Sequence, residues 1–226
     1  EVTWRVGPDP HAAAVGTAVH AYLERVAGLE TALEQDRLDE VLADVFGRDV
    51  PPEAAKRVEH LVMRFLGSEL GTRLGHALAE GADVRREMAF HVRVRFPERR
   101  RVGPFDGLLV RGTVDLWLPT ERGVLLVDHK TAARSKRFPT PEAVAEHHAV
   151  QLRLYALAAE RVEGADVAGA GVLLLDPSWG DEPVFAAVDV GGDALRETRE
   201  VVEAFARAEL EGRYPTRWRD LLTMGA

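Results

Sequence analysis

Three residues invite a chemical reading: Asp115 in the apolar segment GTVDLW (residues 112–117), and Asp128 and Lys130 in VLLVDHK (residues 124–130). A lone carboxylate among apolar neighbours is costly to bury unless it meets a cation or a hydrogen-bond donor. Asp128 and Lys130 lie two apart on a segment that reads as a strand, so both side chains emerge on one face. If the two strands pair through the Pro119–Gly123 connection, the two carboxylates approach and repel each other, and a hard divalent cation relieves that repulsion. Mg2+ prefers oxygen ligands and is typically held by one or two carboxylates plus substrate phosphate, which suits this pair. The reaction this implies is metal-assisted hydrolysis, with the cation lowering the pKa of a bound water while Lys130 orients that water and adds positive charge to the transition state. Lys56, Lys130 and Lys136 are the only lysines in a chain that otherwise uses arginine, so a compact ammonium stands at 130 where a guanidinium was available. The plainer alternative is a cross-strand acid pair with an ordinary lysine salt bridge, because Asp-x-Lys tripeptides are abundant.

The elements that must position these groups follow from hydrophobic periodicity. Val15, Val19, Leu23 and Val26 form one helical stripe within 12–29. A second helix is expected over 33–46, and Pro51-Pro52 suits the start of a third through Val58, Leu61, Val62, Phe65 and Leu66. Past Gly81, Met88, Phe90, Val92, Val94 and Phe96 alternate with polar or basic residues, as a half-buried strand should. Strands over 108–118 and 123–130 complete an expected antiparallel meander. A helix opening at Pro141 and ending near Gly164, strands over 167–175 and 183–190, and a helix over 193–210 follow. The expected fold class is α/β, a mixed β-sheet flanked by helices with an N-terminal helical extension. It forms a single domain over 1–226, with 1–80 helical and 81–226 the sheet core.

Composition sets outer bounds. At 226 residues, with 46% hydrophobic and 29% charged residues, the chain can bury a substantial core. No apolar run reaches the roughly 18 residues of a membrane span, so no membrane partner is expected and the expected location is cytoplasmic. Zero cysteines exclude disulfides, thiolate-bound zinc and cysteine-ligated iron–sulfur clusters in this segment. The net charge of −8 argues against indiscriminate coating of nucleic acid. Residues 85–101, RREMAFHVRVRFPERRR, are nonetheless strongly basic, and Arg134, Lys136 and Arg137 follow the later motif. They read equally as a solvated arginine-rich surface or as a DNA contact.

Three further segments bring a resemblance. GTAVH (16–20) places a glycine and a histidine four apart on a helix, and QLRLY (151–155) places Gln151 and Tyr155 on one face of the helix after the strands. With GTVD ending at Asp115 and DHK at 128–130, these four motifs, in this order, resemble the RecB-type branch of the PD-(D/E)XK nuclease superfamily, whose fold is restriction-endonuclease-like. The resemblance implies that Asp115, Asp128 and Lys130 carry the catalysis and that His20, Asp115, Asp128 and the backbone carbonyl of His129 hold Mg2+, with Mn2+ also suited to an imidazole ligand. It further implies that Gln151 and Tyr155 face the active site and the nucleic acid, Gln151 orienting Lys130 or a phosphate and Tyr155 bonding phosphate or stacking on a base. Glu87 is expected to support the metal shell. Gly16 is expected to allow close helix approach. His147 and His148 are expected to be solvated, and Trp4, Trp117, Trp179 and Trp218 to pack rather than to stack on bases.

Some relatives hold an iron–sulfur cluster with cysteines near both ends; this chain has none, and Tyr214-Pro215 continues without them. The resemblance is therefore to cluster-free RecB and AddA C-terminal domains, or to a similar domain fused to a UvrD-like helicase. It implies a metal-dependent deoxyribonuclease, exonuclease or endonuclease, cutting mainly single-stranded DNA fed by a helicase during double-strand-break resection, DNA repair and recombination. The chain has no Walker motif and starts Glu-Val-Thr-Trp without a methionine, which leads to the expectation that a helicase motor lies on preceding chain or on a partner protein. The alternative from a different class is a catalytically silent nuclease fold retained for DNA binding or assembly.

Overall fold

The computed structural model describes residues 11–25, 33–95 and 107–210. Its N-terminal layer is four helices: α1 (Ala12–Arg25), α2 (Gln35–Phe46), α3 (Pro52–Leu66) and α4 (Glu69–Ala79). The stripe read from α1 is buried as expected: Val15, Val19 and Leu23, joined by Ala18 and Tyr22. Residues 26–29, with Val26, lie outside the described residues. Pro52 supplies the first turn of α3, where its missing N–H costs nothing. The helix α4 has no counterpart among the individual helices expected from sequence, because Gly71 and Gly75 weaken its propensity. Gly71 is needed there, since a Cβ would sit 2.1 Å from the Phe65 carbonyl oxygen, and Ser68 caps the helix by accepting from the Gly71 N–H at 3.1 Å.

The sheet has five strands in sequence order: β1 (Arg85–Arg95), β2 (Gly107–Thr120), β3 (Gly123–Lys130), β4 (Val167–Leu174) and β5 (Val184–Val188). β1, β2 and β3 pair antiparallel as the expected meander, β4 runs parallel to β3, and β5 returns antiparallel to β4. The parallel step requires a crossover, which α5 (Pro141–Ala158) and a π-helical turn over Ala159–Glu163 supply. The last helix, α6, spans Gly192–Leu210. The result is a mixed sheet between two layers. Leu116, Leu118, Val127 and Leu173 pack against α1–α4, whereas Val114, Trp117, Leu126, Val172 and Leu174 pack against α5. No helix among the described residues is long and apolar enough to cross a membrane.

One irregularity positions the site. Along β2, Val114 belongs to the α5 layer but Leu116 to the α1–α4 layer, so the two-residue alternation breaks at Asp115. The β1–β2 ladder pairs Arg86 with Leu116 and Met88 with Val114, passing over Glu87 and Asp115 between them. Glu87 has φ +47°, a region costly for a side-chain-bearing residue and common where a strand is bent to aim a functional group. Both strands therefore change phase together. As a result Glu87 and Asp115 turn toward α1.

Candidate active site

α1 brings His20 to this break. Its Nδ1 lies 3.0 Å from Glu87 Oε1 and 3.6 Å from Asp115 Oδ2, and its Nε2 lies 3.1 Å from the His129 carbonyl oxygen. Gly16, one turn earlier, permits the approach: a Cβ there would stand 3.2 Å from Thr131 Oγ1, just past the end of β3. An open groove of about 490 Å3 runs along this helix from Ala13, Gly16 and Thr17 to His20 and Glu87.

β3 supplies the other half. The His129 N–H donates to Asp115 Oδ2 at 2.7 Å, so one peptide unit ties Asp115 to the Asp128–His129–Lys130 run. Asp128 is 1% exposed. Its Oδ1 accepts from the Gln151 amide at 3.0 Å, and its Oδ2 lies 2.7 Å from Lys130 Nζ. That last contact is an ion pair without hydrogen-bond alignment, which leaves Asp128 Oδ2 buried and without a hydrogen bond. The Gln151 amide also donates to the Tyr155 hydroxyl, and Tyr155 stacks edge-on with Phe90 at 5.3 Å.

Electrostatics follow from this burial. Burial pushes the Asp115 carboxyl up to about 6, and the Asp128 and Glu87 carboxylates push the same way against the opposing pull of His20 and the His129 N–H. Burial draws the His20 imidazole down, but its hydrogen bond to Glu87 and the Asp115 charge outweigh that and leave it raised. Burial pulls the His129 ring down to about 3, with the neighbouring His20 and Lys130 charges adding to the effect. That ring packs edge-on against Phe65 at 5.1 Å, with Nε2 unpartnered. Burial also pushes Tyr155 up to about 12, so its hydroxyl keeps its proton.

All eight residues expected from sequence, His20, Glu87, Asp115, Asp128, His129, Lys130, Gln151 and Tyr155, therefore fall into one connected cluster. The donor set fits a divalent cation: carboxylates that repel one another, an imidazole, a backbone carbonyl and a buried carboxylate oxygen lacking a hydrogen bond. Among the described residues, side-chain ligand atoms of His20, Asp115 and His129, the last through a ring nitrogen rather than its carbonyl, lie within 4.8 Å of one another, a group that does not include Asp128. Two expectations need amendment. Gln151 reaches Asp128 rather than Lys130. His148 is half-buried rather than solvated, its Nδ1 lying 3.2 Å from Gln151 Oε1, while His147 is exposed. The signal was present, because a residue three before Gln151 on a helix shares its face. Arg57 and Arg64 had no sequence signal. Arg57 holds Asp176 at 3.1 Å and the Thr131 carbonyl, and Arg64 binds the carbonyls of Leu175 and Gly180, so α3 fixes the segments leaving β3 and β4. Trp117 is buried and Trp179 donates to the Ala132 carbonyl, both as packing residues, whereas Trp4 and Trp218 lie outside the described residues, as does the 211–226 segment.

Comparison with known proteins places the chain among nuclease-related sequences. The chain is 28% identical over 177 residues to an ATP-dependent helicase/nuclease subunit of Levilactobacillus brevis, covering 74% of this chain and 13% of that protein. It is 27% identical over 169 residues to the protein of the same name from Listeria monocytogenes, covering 72% of this chain and 13% of that one. The chain thus spans about an eighth of the length of these relatives. Among solved structures, a putative exonuclease from Eubacterium rectale superposes over 94% of this chain and 71% of its own, with a TM-score of 0.54 at 15% identity, which shows a shared fold. The family model described as the PD-(D/E)XK nuclease superfamily matches residues 2–220, and the chain belongs to that superfamily.

Proposed function

We propose that this chain is a divalent-metal-dependent deoxyribonuclease domain, cutting single-stranded DNA delivered by a helicase during double-strand-break repair and recombination. The observation that carries the reading is the convergence of Asp115, Asp128 and Lys130 with His20 at the phase break of β2, where Asp115 is driven toward neutrality unless a cation joins it. Asp115, Asp128, His20 and the His129 carbonyl would hold Mg2+ or Mn2+, with Glu87 buttressing His20. When bound, such a cation supplies a nucleophilic water at neutral pH and offsets charge on the phosphate. Lys130 then places its ammonium beside Asp128, where it orients the attacking water and offsets charge developing on the phosphoryl oxygens. Gln151 fixes the carboxylate plane of Asp128. Tyr155, holding its proton, donates toward the substrate. The relatives' name, helicase/nuclease, supports a helicase partner, in cis or on another chain.

The test is cleavage of a 5′-labelled single-stranded oligonucleotide with Mg2+ or Mn2+, alongside calorimetric metal titration. Asp128→Ala and Lys130→Ala should each lower the cleavage rate by about 100-fold or more, and Asp128→Ala should also lose metal affinity. Equal rates for wild type and Asp128→Ala would sink the nuclease reading, and oligonucleotide binding without cleavage in both would identify a silent DNA-binding module instead.

A further inference from the structure

Asp128 owes its orientation to Gln151, and Gln151 in turn has a partner that neither the motifs nor the relatives assign. We infer that His148 is a positioning residue that anchors the Gln151 amide: the acceptor-only Asp128 carboxylate draws the amide nitrogen to itself, and His148 holds that orientation by donating from Nδ1 to the opposite atom, Gln151 Oε1. This rests on the nuclease reading above for its consequence in catalysis, but not for the contact itself.

The inference follows from donor and acceptor counts. The Asp128 carboxylate only accepts, so Gln151 turns its nitrogen to it and its Oε1 to His148 Nδ1, 3.2 Å away, which then carries the proton. The Gln151 nitrogen has two protons, one directed at Asp128 Oδ1 at 3.0 Å and the other at the Tyr155 hydroxyl. Each hydrogen-bonding site of the amide that faces the protein is thereby used. A half-turn of the amide would set Oε1 against the Asp128 carboxylate, two acceptors facing in a site from which water is largely excluded. An amide is nearly symmetric in shape, so packing alone discriminates poorly between the two orientations. Asp128, which can only accept, breaks that symmetry, and His148 in its Nδ1–H tautomer holds the amide in the orientation so chosen. The histidine sits one helical turn before Gln151 on α5 and is half-buried, which keeps the ring from rotating freely into solvent. With Oδ1 of Asp128 committed to Gln151, Oδ2 stays directed at Lys130.

The experiment uses two replacements and one background. His148→Asn retains a donor at the place of Nδ1, whereas His148→Leu fills the space without one. The Gln151 side-chain amide resonances, assigned by their loss in Gln151→Ala, are followed by 15N NMR together with their exchange with water. They should keep wild-type shifts and protection in His148→Asn and lose both in His148→Leu. In cleavage assays, His148→Leu should lower kcat about 10-fold with KM and metal affinity nearly unchanged, His148→Asn should restore most of it, and neither should matter in the Gln151→Ala background. Unchanged amide resonances in His148→Leu, or equal effects of Leu and Asn, overturn the positioning role. A wild type that does not cleave defeats the nuclease reading alone, since the NMR comparison still decides the contact.

Discussion

Asp115 and His129 are buried side by side on adjacent strands, one contacting the other's backbone, and burial moves their protonation in ways that oppose each other in stability. Asp115 titrates near 6 when folded and near 3.9 when unfolded, so between those values the folded state binds more protons and stability falls as pH rises. His129 titrates near 3 when folded and near 6.5 when unfolded, so the unfolded chain binds more protons and stability rises with pH across that window. In the metal-free protein the two contributions offset one another between about pH 4 and 6. Asp115→Asn removes the first: relative to wild type, the variant should gain about 2 kcal/mol as pH rises from 4 to 6.5. His129→Phe removes the second, and its stability relative to wild type should rise by about 2 kcal/mol as pH falls from 6.5 to 5. Urea unfolding at stepped pH reads both differences, and a pH-independent offset for either variant would refute the part assigned to that residue. Mg2+ or Mn2+ should raise the Tm of wild type but not of Asp115→Asn, because only a ligand that binds the folded state shifts the equilibrium.

At the scale of elements, the site is a junction of α1 with the end of β3, and Gly16 sets their separation. A side chain there meets Thr131 Oγ1, so Gly16→Val should push α1 outward and draw His20 away from Glu87 and the His129 carbonyl. The expected outcome is a loss of metal affinity of about 10-fold or more, with unfolding free energy lowered by only about 1–2 kcal/mol; equal metal affinity in calorimetry would show that His20 is not held by this contact. The β1–β2 hairpin makes a separate contribution. Beyond the phase break, the face that carries Glu87 and Asp115 continues outward through Ala89 and Thr113 to the exposed pair His91 and Arg111. If DNA leaves the site along that face, Arg111→Glu should weaken oligonucleotide binding and reduce the dependence of log K on log salt by about one phosphate contact. An unchanged salt slope would leave that arginine as solvated surface. These features also mark how far sequence reaches. The pairing of β2 with β3, and Gln151 with Tyr155 on one helix face, were legible because they follow from local periodicity and a short turn. The phase break was not, because Val114 and Leu116 stand two apart as on a regular strand, and only pairing with β1 beside Glu87 puts them in different layers. Nor was α4, whose glycines read as weak helix until the Phe65 carbonyl that excludes a side chain at Gly71 is in view.

For the whole molecule, the depth of the acids bears on the proposed preference for single-stranded DNA. Asp128 is 1% and Asp115 9% exposed, recessed between α1 on one face of the sheet and α5 on the other. In the proposed reaction, the scissile phosphate would have to bend into that recess. A single strand does this readily, whereas duplex DNA has a persistence length of about 50 nm and pays for sharp bending or local opening. The net charge of −8 opposes compensation by general attraction to phosphate. Single-turnover cleavage of one sequence as a free strand should therefore exceed that of its blunt duplex by about 10-fold or more, the ratio corresponding to about 1.4 kcal/mol of duplex deformation. In the proposed arrangement, tethering to a motor would offset weak intrinsic affinity, because a linker holds an emerging strand at an effective concentration in the millimolar range. The isolated domain should consequently show a KM that rises steeply with salt while kcat changes little. Equal rates on strand and duplex would remove the argument from burial and, with it, the reason to require a helicase to prepare the substrate.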